Sequence, residues 1–256
     1  MEQTNEAFLQ EGLRLVDLAE ARGFPLRLLG AVAIRLHCER YRHLFDAADR
    51  PITDLDFMAY GRDNARVQGM LQEEGYIPDE FILKFYGQTR QIYAHPQISG
   101  FKVDVFFDNL SFCHVVPFQG RLEMDRPTIT MTDVLLEKMQ IVEINAKDLK
   151  DTIIMMLEHD LSEGFARETV DTAYISKSLG VDWGFYYTVT QNLRKVLEYM
   201  RQNPFITPEE MAVVESRVFR LLERLEKEPK TMKWRLRAKL GPKVKWYTEV
   251  EETEKF

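Results

Sequence analysis

RPITDLDF, Arg50 to Phe57, sets two carboxylates two residues apart inside an otherwise apolar, strand-like run. Side chains alternate along a strand, so Asp54 and Asp56 project on the same side, close together. Two like charges so placed repel unless a cation lies between them. Ile52, Leu55 and Phe57 flank the pair, so the strand reads as central rather than solvated. Downstream, FKVDVFFD (Phe101 to Asp108) is a second strand with a third carboxylate, Asp104, again between apolar residues. Upstream, LLGAVAI runs from a strand into a helix through Gly30 and Ala31.

Hard oxygen ligands are what Mg²⁺ prefers, with waters and substrate phosphates completing its shell. Three carboxylates on adjacent strands can hold two such ions, which would bridge an attacking hydroxyl and a triphosphate. A Gly turn at a helix N-terminus adds backbone N–H groups and a positive dipole end for phosphate.

In these residues the chain resembles the nucleotidyltransferase superfamily with a palm like that of DNA polymerase beta. That family's pattern is a Gly-Ser or Gly-Gly turn, an h-D-h-D-h strand and a third acid on a later strand. Gly30-Ala31, Asp54-Leu55-Asp56-Phe57 and Asp104 match it in order. The wording around the pair looks like the branch of abortive-infection toxin nucleotidyltransferases and their relatives. Its Thr, Thr53, is adjacent to the first Asp rather than one residue removed. The same branch carries an L-x-x-K-[LM] helix and a [RK]-D-[LI]-x-D helix. LLEKMQIVEINAKDLKDTI supplies Lys138, Lys147-Asp148 and Asp151 for these.

The resemblance implies an α+β fold: a small mixed sheet of nucleotidyltransferase type with flanking helices, followed by a helical C-terminal domain. It implies Mg²⁺ or Mn²⁺ on Asp54, Asp56 and Asp104, with Asp104 also helping to deprotonate an acceptor hydroxyl. Nucleotide binding would fall to Gly30, Ala31, Thr53, Lys138, Asp148 and Asp151. Lys138, a compact point charge, would meet the phosphates, and the two aspartates would orient it or the base. Capping competes as the explanation of Asp148. Ala31 keeps the small size of the family's residue but loses the hydroxyl, which leaves room for a degenerate enzyme.

The rest of the chain bounds these expectations. Its 256 residues are 45% hydrophobic and 29% charged, with a formal charge of −7, so no global basic field attracts nucleic acid. Any polyanion must be held by a local patch. Cys38 and Cys113 are too few for a disulfide framework or a multi-cysteine zinc site. MEQTNEAFLQ lacks a signal peptide's basic start and apolar core, and no apolar run is long enough to span a bilayer. A cytoplasmic protein is expected.

Helices are expected over Asn5 to Ala21, over AVAIRLHCERYRHLF with His37 inward, and over Asn64 to Glu74. Strand-like alternation runs from Phe81 to Phe107, broken by Gly87 and His95-Pro96. TDVLLEKMQIVE reads as a helix capped by Thr132, and the next begins at Asn145. Beyond about Leu161 the strand signal disappears. TPEEMAVVESRVFRLLERLEKE is the best-signalled helix, with Thr207 as N-cap, Glu210 at the third position and Val214, Val218, Leu221 and Leu225 on its apolar stripe. The expected division is 1–160 and 161–256.

Other candidates are weaker. His37 and Cys38 are neighbours on a helix and face different ways, which disfavours a metal site in HCERYRH. In SFCHVV neighbours face opposite sides, which disfavours a Cys113–His114 nucleophilic pair. KTMKWRLRAKLGPKVKW, Lys230 to Trp246, repeats basic residues without an acid and interleaves Trp234 and Trp246. That suits RNA, by phosphate contact and stacking, and equally a solvated tail whose tryptophans pack on the body. The expected function is metal-dependent transfer of a nucleoside monophosphate from NTP to a hydroxyl on an RNA end, a protein or a small molecule. The alternative is a catalytically degenerate binding module of a toxin–antitoxin system with an antitoxin partner. A sugar-nucleotide glycosyltransferase using D-x-D is disfavoured, because too little chain precedes the motif for a nucleotide-binding βαβ region.

Overall fold

A computed structural model describes residues 2–48, 50–96 and 102–249. The chain divides into two compact units, Met1–Leu110 with Pro117–Thr130, and Ser111–Val116 with Met131–Phe256. The helices that carry Lys138, Asp148 and Asp151, expected in a portion ending at 160, therefore belong to the second unit.

The first unit opens with helix α1 (Glu2–Ala21), strand β1 (Leu26–Leu29) and helices α2 (Gly30–His37) and α3 (His43–Ala47). Strand β2 (Leu55–Ala59), helix α4 (Asn64–Glu73), strand β3 (Ile77–Pro78), helix α5 (Glu80–Tyr86) and strands β4 (Arg90–Ala94) and β5 (Lys102–Phe107) follow. These strands form one mixed sheet in the order β1-β2-β5-β4-β3. β2 and β5 run parallel at its centre, and the other neighbours are antiparallel. Leu55, Phe57, Val103 and Val105 are fully buried, as expected for central strands. Helix α1 lies close against β1 because Gly12 has no side chain. A Cβ there would stand 2.9 Å from Leu28 Cδ2.

Strands β6 (Asn109–Ser111) and β7 (Val115–Pro117) form a two-stranded sheet where the chain passes between units. The second unit then runs α6 (Met131–Met139), α7 (Ala146–Glu158), β8 (Asp160–Ser162), β9 (Thr169–Asp171), α8 (Thr172–Val181), α9 (Trp183–Gln202), α10 (Pro208–Lys227) and α11 (Met232–Leu240). α10 carries the capping box expected of Thr207 and Glu210. Val214, Val218, Leu221 and Leu225 are fully buried along its stripe. α7 begins after Asn145, whose side chain accepts from the Lys147 and Asp148 amides.

The α+β class with a small mixed sheet and many helices matches the expectation at that level. Several finer expectations change. The helix over AVAIRLHCERYRHLF breaks after His37, because Cys38 leaves the helical region (φ −96, ψ 63). Phe81 to Tyr86, read as strand-like, is helix α5, capped by the Asp79 side chain on the Ile82 amide. Phe101 of the FKVDVFFD strand lies outside the described residues. Helix α6 starts at Met131, so Thr132 is not its cap, and the Thr132 hydroxyl accepts the Asp171 amide at 2.8 Å instead. A short parallel pair, β8 with β9, lies beyond the point where strands were expected to end. Among the described residues no helix is long and apolar enough to cross a membrane.

Candidate metal and nucleotide site

The parallel pairing of β2 and β5 sets Asp56 directly opposite Asp104. Residues opposite one another on paired strands share a face, so these two carboxylates stand side by side. Asp104 is buried and Asp56 half-buried. Asp54 lies one residue before β2 begins, half-buried, and its Oδ1 accepts from the Thr53 hydroxyl at 3.2 Å. Asp54 acts electrostatically on Asp104. The register thus sets Asp56 beside Asp104, with Asp54, two residues upstream of Asp56, acting on Asp104 through its charge.

Gly30 completes one side. It begins α2 with φ +67, a conformation that L side chains rarely adopt. A Cβ on Gly30 would lie 2.4 Å from Asp56 Oδ2, so the Asp56 carboxylate rests against backbone that only glycine leaves open. The antiparallel pairing of β1 and β2, with Leu29 opposite Asp56, fixes this approach. Ala31 follows, half-buried, in the first turn of α2.

A cation stands beside Asp104 and Asp56: Arg90, at the start of β4. Its Nε donates to Asp104 Oδ1 at 2.9 Å and Oδ2 at 3.1 Å, and its Nη2 donates to Oδ2. The guanidinium also lies 5.2 Å from the centre of the Phe106 ring. Burial works against the charge of Arg90, but Asp104 first and Asp56 next outweigh it, raising its pKa above the ordinary guanidine value. For Asp104 burial is the largest influence and pushes its carboxyl above the usual range. Arg90 opposes that push, and Asp54 adds to it. Sequence reasoning missed Arg90. The one usable signal is the register of β4 on β5, which sets Ile92 opposite Asp104 and Arg90 two residues away on the same face.

No family model, curated protein or solved structure matches this chain. The site is therefore read from its own chemistry. Three carboxylates, two of them adjacent on one sheet face, are a hard-oxygen donor set of the kind Mg²⁺ or Mn²⁺ takes. The residue types suit such an ion; their oxygens do not all lie within 4.8 Å of one another, and Arg90 holds Asp104.

Lys138, Asp148 and Asp151 meet in the second unit. Lys138 is buried on α6, with its Nζ 3.3 Å from Asp148 Oδ1, 3.5 Å from Glu137 Oε1 and 3.8 Å from Asp151 Oδ2. Asn145 caps the Asp148 amide, while the Asp148 side chain pairs with Lys138 and does not itself cap α7. In the same unit His114 sits in the turn between β6 and β7, buried and stacked on Phe185 at 4.9 Å. Its Nε2 lies 2.8 Å from the Thr188 hydroxyl, which also accepts from Trp246 Nε1 at 3.0 Å. Trp234 packs edge-on against Tyr186, and Trp246 packs against Tyr187. Both tryptophans of the basic stretch thus pack on α9, while Lys233, Arg235 and Lys239 remain exposed. In the first unit His37 is buried, with Nε2 2.7 Å from the Thr128 hydroxyl and 3.0 Å from the Ile129 carbonyl.

Proposed function

We propose that this chain is a metal-dependent nucleotidyltransferase that moves a nucleoside monophosphate from NTP to an acceptor hydroxyl. The observation that carries the reading is the side-by-side placement of Asp56 and Asp104 across β2 and β5, with Gly30 against the Asp56 carboxylate. Asp54, Asp56 and Asp104 would hold Mg²⁺ or Mn²⁺, which when bound neutralises charge on the phosphoryl group in transfer. Gly30 and Ala31 offer phosphate the backbone of the first turn of α2 without a large side chain in the way. By the resemblance, Asp104 also takes the proton of the acceptor hydroxyl. That oxygen bonds to the α-phosphorus, the α–β phosphoanhydride bond breaks and pyrophosphate leaves. The expected roles of Thr53, Lys138, Asp148 and Asp151 in nucleotide binding are carried by the resemblance alone.

RNA ends, protein side chains and small molecules are the acceptor classes. The exposed basic residues of α11 support RNA among them. A second reading, a degenerate nucleotidyltransferase-fold module with an antitoxin partner, draws support from Ala31 and from the Arg90 fork on Asp104. Incubation with labelled NTPs, Mg²⁺ and total cellular RNA or protein separates the two. Label transfer that Asp54→Asn/Asp56→Asn abolishes supports the enzyme. Absence of transfer to any acceptor with either Mg²⁺ or Mn²⁺ contradicts it.

A further inference from the structure

We propose that Arg90 is an internal counter-ion, which occupies the cation position of the carboxylate cluster and is exchanged for a divalent metal when the cluster is loaded. The inference rests on reading Asp54, Asp56 and Asp104 as a metal site. Three features carry it. The guanidinium forks both oxygens of Asp104, the most buried of the three carboxylates. It acts on Asp56 as well, the neighbour directly across the strand pair. It comes from β4, the strand on the far side of β5 from β2, so it reaches the cluster from the side opposite Gly30.

A guanidinium on a buried carboxylate and a divalent ion on that same carboxylate are like charges within a few ångströms, so each weakens the other. Arg90 therefore sets how tightly the cluster takes metal. In the metal-free protein it does the metal's electrostatic work, keeping two adjacent carboxylates from repelling one another. One quarter of its side chain is exposed, against 7% of Asp104, so Arg90 is the partner with more solvent around it when the pair opens. Its stacking on Phe106 offers a second support when the fork opens.

The test is Mn²⁺ binding to the full chain at pH 8, followed through the paramagnetic resonance signal of free Mn²⁺. Wild type, Arg90→Gln, Arg90→Lys and Asp56→Asn are compared, each also by thermal melting with and without Mn²⁺. Arg90→Gln is expected to bind Mn²⁺ about tenfold more tightly than wild type, since a competing charge is gone. Its melting temperature without metal should fall, and saturating Mn²⁺ should raise it more than in wild type. Arg90→Lys keeps a charge but cannot fork a carboxylate, so it should show a smaller gain in the same direction. It also serves if Arg90→Gln does not fold. Asp56→Asn should lose the binding. Equal or weaker Mn²⁺ binding by folded Arg90 variants, with wild type binding normally, overturns the counter-ion proposal and leaves the metal reading standing. No Mn²⁺ binding by wild type or either Arg90 variant overturns both.

Discussion

At the scale of single residues, the site turns on contacts that tolerate no added atom. Gly30 combines a left-handed backbone with an Asp56 oxygen 2.4 Å from where a Cβ would stand. Gly30→Ala should lower stability by about 1–2 kcal/mol through the backbone alone and should push the Asp56 carboxylate aside. Denaturant unfolding and Mn²⁺ binding check the two effects, and a variant that keeps wild-type values in both would contradict the close approach. The carboxylates themselves were legible in the sequence, because a D-x-D pair between apolar residues is a local pattern. Arg90 was not, because its partnership with Asp104 depends on the register of two strands that no local pattern reveals.

At the scale of elements, capping and propensity decide what was readable. α10 announces itself through Thr207, Pro208 and Glu210, and the structure has the complete box, with Thr207 accepting from the Glu210 amide and Glu210 from the Thr207 amide. Thr207→Ala should cost about 1 kcal/mol in urea unfolding and leave Mn²⁺ binding unchanged. A loss of metal binding would show that the cap matters beyond its helix. FILKFY misled because Phe, Ile and Tyr favour strands. Asp79 as N-cap starts it as α5 instead. β8 and β9 are three residues each, too short for a period to show. Thr132 had the residue type of a cap, but its hydroxyl accepts the Asp171 amide at the end of β9.

At the scale of the whole molecule, acid sensitivity follows from the second unit. Burial lowers the His114 pKa to about 4, against a weaker upward pull from Asp182, so the folded chain holds this ring neutral. The unfolded chain takes up a proton near the ordinary value of 6.5. Between these values the unfolded state binds more protons, so stability is full above about 6.5 and declines as pH falls toward about 4. Urea unfolding across that window should show the decline, and His114→Phe should flatten it. An unchanged slope in the variant would place the acid sensitivity elsewhere. The division at Thr130 was harder to read than the α+β class, because no composition shift or linker marks it and the second unit also takes Ser111–Val116 from the middle of the first.

The central claim is that the carboxylates beside Gly30 are a metal-dependent triphosphate site. Isothermal calorimetry of the full chain with each NTP, in Mg²⁺ and in excess chelator, and repeated on Asp56→Asn, tests it most directly. The account predicts NTP binding that requires the metal and disappears in the variant. Binding of no nucleotide in Mg²⁺ or Mn²⁺, or binding that survives both the chelator and Asp56→Asn, would contradict it.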